Sequence, residues 1–253
     1  MRYQKTRQSI VIVTAIVFNL LLIFHSLFSP VIIIIAASRG LINASFLTFL
    51  LLFFLSLFFG RAYCGWLCPG CGIQEIIALA IRKKSTNNQA VYLKYVIFAL
   101  WISSIIILYL IKGIHKIDIS FGMTDIPIAR KLILTGGAIL IIAPLAIIFG
   151  KFASCKYICW QAPFMIIGTK LRDLLGLPGL RIKIDKSKCK GCNACIRQCP
   201  MNIDLLTNIK GNTIQAAECI LCGNCIDACK SQAFSYQFTI PIKPGSTNLT
   251  NIQ

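Results

Sequence analysis

Cys189-Lys-Gly-Cys192-Asn-Ala-Cys195-Ile-Arg-Gln-Cys199-Pro200 and, thirty residues on, Cys219-Ile-Leu-Cys222-Gly-Asn-Cys225-Ile-Asp-Ala-Cys229 decide how this chain is read. Both runs follow C-x2-C-x2-C-x3-C. That spacing wraps three thiolates around one iron–sulfur cube and passes the fourth cysteine to a neighbouring cube. In the usual two-cube pattern Cys189, Cys192 and Cys195 take Cys229, while Cys219, Cys222 and Cys225 take Cys199. Gly191 and Gly223 ease the tight wrap. Lys230 stands where Pro200 stands after the first run, which gives up turn rigidity and no ligand. Tetrahedral zinc also uses C-x2-C pairs, but two reciprocal four-cysteine runs favour a pair of [4Fe-4S] clusters.

Upstream of these runs the chain is strongly apolar. It is 57% hydrophobic over 253 residues, with a mean hydropathy of +0.75. The apolar residues gather in segments 9–28, 44–59, 91–111 and 132–149, each near the ~20 residues a spanning helix needs. Residues 31–37 are also apolar and either extend the first helix past Pro30 or lie at the outer interface. The first segment is too long for a cleaved signal and reads as a retained helix. Basic residues flank the expected inner ends: Arg2, Lys5 and Arg7; Arg61, Arg82, Lys83 and Lys84; Lys151, Lys156, Lys170 and Arg172. The second outer loop weakens this bias with Lys112, Lys116, Arg130 and Lys131, partly offset by Asp118 and Asp125. The expected fold is therefore an α-helical membrane protein with four transmembrane helices as two repeated hairpins, plus a C-terminal α+β bacterial-type 2[4Fe-4S] ferredoxin domain. The expected divisions are a membrane domain over 1–174, a linker over 175–180, the ferredoxin domain over 181–236 and a tail over 237–253. By the positive-inside rule the protein sits in the cell (cytoplasmic) membrane, with both termini and all thirteen cysteines on the cytoplasmic side, where thiols stay reduced. The net charge of +18 reads first as this bias plus attraction to anionic membrane lipid, and second as docking of an acidic redox partner. The dispersed basic residues carry no nucleic-acid recognition motif.

The membrane part holds its own repeat. Phe59-Gly60-Arg61 leads to Cys64-Gly-Trp-Leu-Cys68, and Phe149-Gly150-Lys151 leads to Cys155-Lys-Tyr-Ile-Cys159, with a spacer one residue longer in the second copy. Two hairpins of like topology would bring Cys64, Cys68, Cys155 and Cys159 together at the inner surface, enough thiolates for a third iron–sulfur cluster. Cys71 is an alternative ligand, and Pro69-Gly70-Cys71-Gly72 is expected to turn the chain after the first pair. Cys64, Cys68 and Cys71 also match the spacing of radical S-adenosylmethionine enzymes, but their large barrel has no counterpart here. Buried structural thiols are the plainer alternative. His25 and His115 are the two histidines, both towards expected outer ends; no haem is expected, and no flavin. The near absence of ionisable residues within the spans argues against a proton or ion pump. Glu75 reads as a solvated carboxylate at a helix start, or less simply as a proton acceptor for quinol.

Arg61-Ala-Tyr-Cys64-Gly-Trp-Leu-Cys68-Pro69, the second C-x3-C segment and the trailing double ferredoxin run together resemble the NapH-like membrane ferredoxins over roughly residues 5–232. That family includes quinol dehydrogenase membrane components of periplasmic nitrate reductase systems. Related proteins include regulators of nitrous oxide respiration and cytochrome oxidase assembly factors. The second segment departs from the family's C-x3-C-P, because Trp160 follows Cys159. The flavin-bearing outer domain of the regulators has no counterpart before the first helix. The resemblance implies an electron-transfer component that passes electrons between the quinone pool and a redox partner protein. The alternative is a maturation factor that reduces or delivers metal to a respiratory enzyme.

Overall fold

The computed structural model describes residues 2–20, 27–80, 89–122 and 127–240. His25, Arg82, Lys83, Lys84, Asp125 and the expected tail beyond Ile240 lie outside the described residues. The helices are α1 (Arg2–Leu20), α2 (Pro30–Ser38), α3 (Ala44–Phe59), α4 (Ala62–Trp66), α5 (Pro69–Ala80), α6 (Leu93–Lys112), α7 (Ile128–Phe149), α8 (Ala153–Tyr157), α9 (Gln161–Leu175), α10 (Ala194–Arg197) and α11 (Asn224–Ala228). The strands are β1 (Leu41–Ile42), β2 (Lys116–Ile117), β3 (Gly179–Ile184), β4 (Ile209–Lys210), β5 (Thr213–Ile214) and β6 (Phe234–Thr239).

Helix α1 begins well ahead of the apolar segment expected from residue 9. The reason is tertiary. The Asp227 carboxylate accepts from the backbone N–H groups of Tyr3 at 3.2 Å and Gln4 at 2.7 Å. An acidic group at a helix N-terminus satisfies free N–H groups and complements the helix dipole. Residues 31–37 belong to a separate helix, α2, started by Pro30 and capped by Ser29, whose side chain accepts from the Ile32 N–H. Pro at the first helical position sacrifices no hydrogen bond. Helix α2 packs against α6 and buries Ile32, Ile33, Ala36 and Ala37. The two expected outer loops meet in a short parallel pairing of β1 and β2.

The two C-x3-C segments have matching backbones. A long helix ends at a glycine of positive φ, Gly60 (55°) or Gly150 (95°). A one-turn helix follows, carrying Cys64 or Cys155. Two successive N–H groups then bond to one carbonyl: Leu67 and Cys68 to Tyr63 at 2.9 and 3.0 Å, Ile158 and Cys159 to Ser154 at 3.1 and 2.9 Å. The extra residue of the second copy is absorbed at Phe152, which takes a left-handed φ of 60°. Pro69-Gly70-Cys71-Gly72, expected as a turn, is instead the first turn of α5. Helix α5 lies on α1 and α9 lies on α3. Both contacts are backbone-close: a Cβ at Gly72 would run into the Val11 carbonyl, and one at Gly168 into Ser56.

The ferredoxin module pairs its first and last strands, β3 and β6, in antiparallel register from Gly179↔Thr239 to Ile184↔Phe234, within the sheet order β4-β5-β3-β6. The pairing takes in residues 179–180 of the expected linker and 237–239 of the expected tail. Its core joins Ile182, Ile184, Leu205, Ile214, Ala233 and Phe234 to Cys195 and Cys225. The two halves repeat at an offset of thirty: left-handed backbone occurs at Gly191, Asn193 and Asn202, and again at Leu221, Gly223 and Gln232. The turn after Lys230 matches the one after Pro200. Asn202 N–H reaches Cys199 O at 3.2 Å and Gln232 N–H reaches Cys229 O at 3.1 Å.

The helical stretch Ala90–Lys112 is the one long and apolar enough to cross a membrane among the described residues; Ala44–Phe59 and Leu140–Phe149 are shorter apolar helices.

Candidate metal centres

Cys199, Cys219, Cys222 and Cys225 line one pocket together with Ile182, Met201 and Leu205 among others. Among the described residues no three His, Cys, Asp or Glu side chains close on a point that would hold a single metal ion. Four thiols around an apolar space suit a cubane, whose ligands stand apart around a bulky core. Cys189, Cys195 and Cys229 pack against the module's core, and Cys192 is exposed.

The cysteines of the two C-x3-C segments join the same interior. Cys64, Cys71, Cys199 and Cys222 share a buried cluster with Phe152, Met165, Met201 and Ile220, and Cys68 and Cys155 pack against it. Cys159 lies within electrostatic reach of Cys64, Cys68 and Cys155. The two C-x3-C segments therefore meet, Cys71 stands beside Cys155 and Cys68, and the ferredoxin loop 219–222 presses on them. Trp66 Nε1 donates to the Leu221 carbonyl at 2.9 Å, and the Tyr236 hydroxyl donates to the same oxygen at 2.6 Å.

Charged side chains line this contact. Arg61, 1% exposed, donates through Nη1 to Glu218 Oε2 at 2.9 Å and to the Glu218 carbonyl at 3.2 Å. Lys94 Nζ reaches Glu218 Oε1 at 2.6 Å. Burial alone would raise the Glu218 carboxyl, but Arg61 and Lys94 outweigh it and hold it below its ordinary range. Arg7 Nη2 reaches Glu75 Oε2 at 2.8 Å, and Gln8 donates to Glu75 Oε1 at 2.7 Å. Glu75 is thus a buried ion-pair partner, not the solvated carboxylate expected from its place at a helix start. Gln74 Oε1 accepts from the Ser154 N–H at 3.2 Å and ties α5 to α8.

Burial pushes the thiols up: Cys68 to about 12, with Cys64 and Cys159 adding to the effect; Cys219 to about 12; and Cys222 to about 11. In the apoprotein these groups stay protonated at neutral pH, so cluster assembly must release protons. Cys229 goes the other way: its slight burial is outweighed by the Ser231 hydrogen bond and nearby backbone N–H groups, which lower it. In reduced apoprotein at pH 7, exposed Cys192 and low-lying Cys229 are expected to alkylate before Cys68, Cys219 and Cys222. Mass mapping of a brief iodoacetamide pulse checks the order. Equal labelling of all five would contradict the burial described here.

Sequence reasoning did not reach Glu218, Arg7 or Met165, whose thioether lies 3.3 Å from the Cys64 thiol. One signal was available: Glu75 and Glu218 are the chain's two glutamates, in a chain of net charge +18.

Residues 43–88 match the family model of a 4Fe-4S binding domain, and residues 181–230 match that of a 4Fe-4S dicluster domain. An uncharacterized protein of Methanocaldococcus jannaschii is 27% identical over 206 residues, 77% of this chain and 72% of that protein. The ferredoxin-type protein NapH of Haemophilus influenzae is 24% identical over 70% of this chain and 62% of its own length. The putative electron transport protein YccM of Escherichia coli is 25% identical over 69% of this chain and 50% of its own length. No solved structure matches the chain. The fold and the matched domains define an iron–sulfur electron-transfer protein of the ferredoxin type, with two [4Fe-4S] clusters as cofactors. Within that class the chain is similar to the NapH-like 4Fe-4S polyferredoxins.

Proposed function

We propose that the chain is a multi-pass membrane protein carrying electrons between the quinone pool and a redox partner protein through three [4Fe-4S] clusters. Cys189, Cys192, Cys195 and Cys229 hold the first. Cys199, Cys219, Cys222 and Cys225 hold the second. Cys64, Cys68, Cys155 and Cys159 hold the third, with Cys71 beside them. Such clusters supply sites for single electrons. The chain's own part is to hold the thiolates close, exclude water and fix the neighbouring charges.

One observation carries this reading: the membrane-side thiols and two thiols of the ferredoxin module, Cys199 and Cys222, share one buried cluster. An electron reaching either group is within one packed interior of the other. Exposed Cys192 then marks the end open to a partner in solution. Four spans over residues 1–174 fit the outward apolar side chains of α3, α6 and α7, such as Leu51, Phe54, Leu100, Leu110, Leu140 and Ile148, all more than half exposed. Asp227, which caps α1, favours both termini on one side of the membrane, with the inner side assigned by the basic residues.

Iron and sulfide counting after anaerobic purification tests this. Three loaded clusters mean about 12 irons per chain, and the ferredoxin module alone about 8. Cys64→Ala is expected to drop the count from about 12 to about 8. A variant still holding about 12 would remove Cys64 from the ligand set. A quinol analogue should change the spectrum of the oxidised clusters, and no change would sink quinone as donor.

A further inference from the structure

We propose that Arg7 and Arg61 act as fixed cations between the membrane-side cluster and the neighbouring ferredoxin cluster, raising the reduction potential of both. The proposal rests in part on the membrane-side cluster proposed above.

Each guanidinium lies within electrostatic reach of both thiol sets. Arg61 acts on Cys64, Cys159 and Cys155 and also on Cys219, and its ion pair with Glu218 holds it next to the Cys219 loop. Arg7 stands beside Cys222 and Cys71 and donates to the Gly65 carbonyl at 3.4 Å. Their exposures are 0% and 1%, and among the described residues the Nε atom of each has no hydrogen-bond partner. The carboxylates present do not cancel them. Arg7, Arg61, Lys94 and Lys156, all buried, make four cations against two carboxylates, Glu75 and Glu218, and the Gln8 amide draws further on Glu75. Uncompensated buried charge is costly unless something opposite is near. The thiolates and the negative charge of the clusters they hold supply that here.

Reduction adds one negative charge to a cluster. A buried cation stabilises that charge over a short path that water and salt screen little. Two such cations in the gap favour an electron on either side, so the step between the clusters stays shallow. A purely structural role for these arginines would not tie the sign of a potential shift to the sign of the charge removed.

Redox titration followed by spin resonance, on the full chain in detergent, tests this. Arg7→Gln and Arg61→Gln should each lower the midpoints of the two flanking clusters by a tenfold equilibrium change or more, which is 59 mV for one electron. Glu218→Gln removes the opposing charge and should raise them. The Cys189, Cys192, Cys195 and Cys229 cluster should move least. Unchanged midpoints, or shifts of one sign in all three variants, would overturn the proposal. If Arg61→Gln fails to take up iron, Arg7→Gln and Glu218→Gln decide by opposite signs. About 8 irons in the wild type would sink the membrane-side cluster, and the shift of the Cys222-containing cluster in Arg7→Gln would still decide the role of the cation.

Discussion

Glu75→Ala is expected to destabilise the fold by about 3–5 kcal/mol, because it removes the carboxylate directly paired with the buried Arg7 guanidinium. The side chains of Arg7 and Glu75 are 0% and 6% exposed and meet at 2.8 Å. Removing one partner forfeits their attraction and keeps the full desolvation cost of the other. The pair also joins α1 to α5, so the loss loosens the helix that carries Cys71. Thermal unfolding in detergent, followed by iron–sulfur absorbance, measures it. The double replacement Arg7→Met with Glu75→Leu should recover much of the loss, since apolar side chains of similar size carry no desolvation debt. A Glu75→Ala melt matching the wild type would mean that Arg7 finds another partner or water.

Gly65→Ala is expected to cost about 1–3 kcal/mol or more by overpacking and to part the ferredoxin module from the C-x3-C thiols. A Cβ at Gly65 would run into the Ile220 carbonyl, with the Cys222 Cα 3.5 Å away. Both neighbours are backbone, so neither can turn aside as a flexible side chain does. The loop 219–222 is held besides by Trp66 on the Leu221 carbonyl. A lower unfolding temperature and slower electron exchange between clusters in rapid-freeze spin resonance are the readouts. Gly136→Ala in α7 is the control, because a Cβ there meets nothing within 4 Å. It should be neutral or stabilising by roughly 0.5–1 kcal/mol, the helix preference of Ala over Gly. Equal effects at both glycines would count against close contact at Gly65.

The double ferredoxin motif was legible because its chemistry is local. Three cysteines of each run lie within seven residues, and the turns between them need glycine or another residue that tolerates left-handed backbone. The duplication of the C-x3-C segments was legible for the same reason: a glycine stop, a one-turn helix and a paired N–H pattern all fall within ten residues. The start of α1 was not, since Asp227 caps it from the other end of the chain. The helical fate of Pro69-Gly70-Cys71-Gly72 was misread because Pro and Gly signal turns, although Pro also suits a first helical position. Glu75 was misread because a carboxylate near a helix start is solvated unless some distant cation covers it.

Spacing alone thus determined the class of this protein, its two [4Fe-4S] clusters and the likeness of two cysteine hairpins, because each depends on residues a few positions apart. Only the tertiary structure decided how they adjoin. It set the ferredoxin loop 219–222 against Cys64 and its neighbours, closed the contact at Gly65, and buried Arg7 and Arg61 against the two glutamates. Those contacts join residues separated by dozens to hundreds of positions, and close packing rather than local propensity selects them.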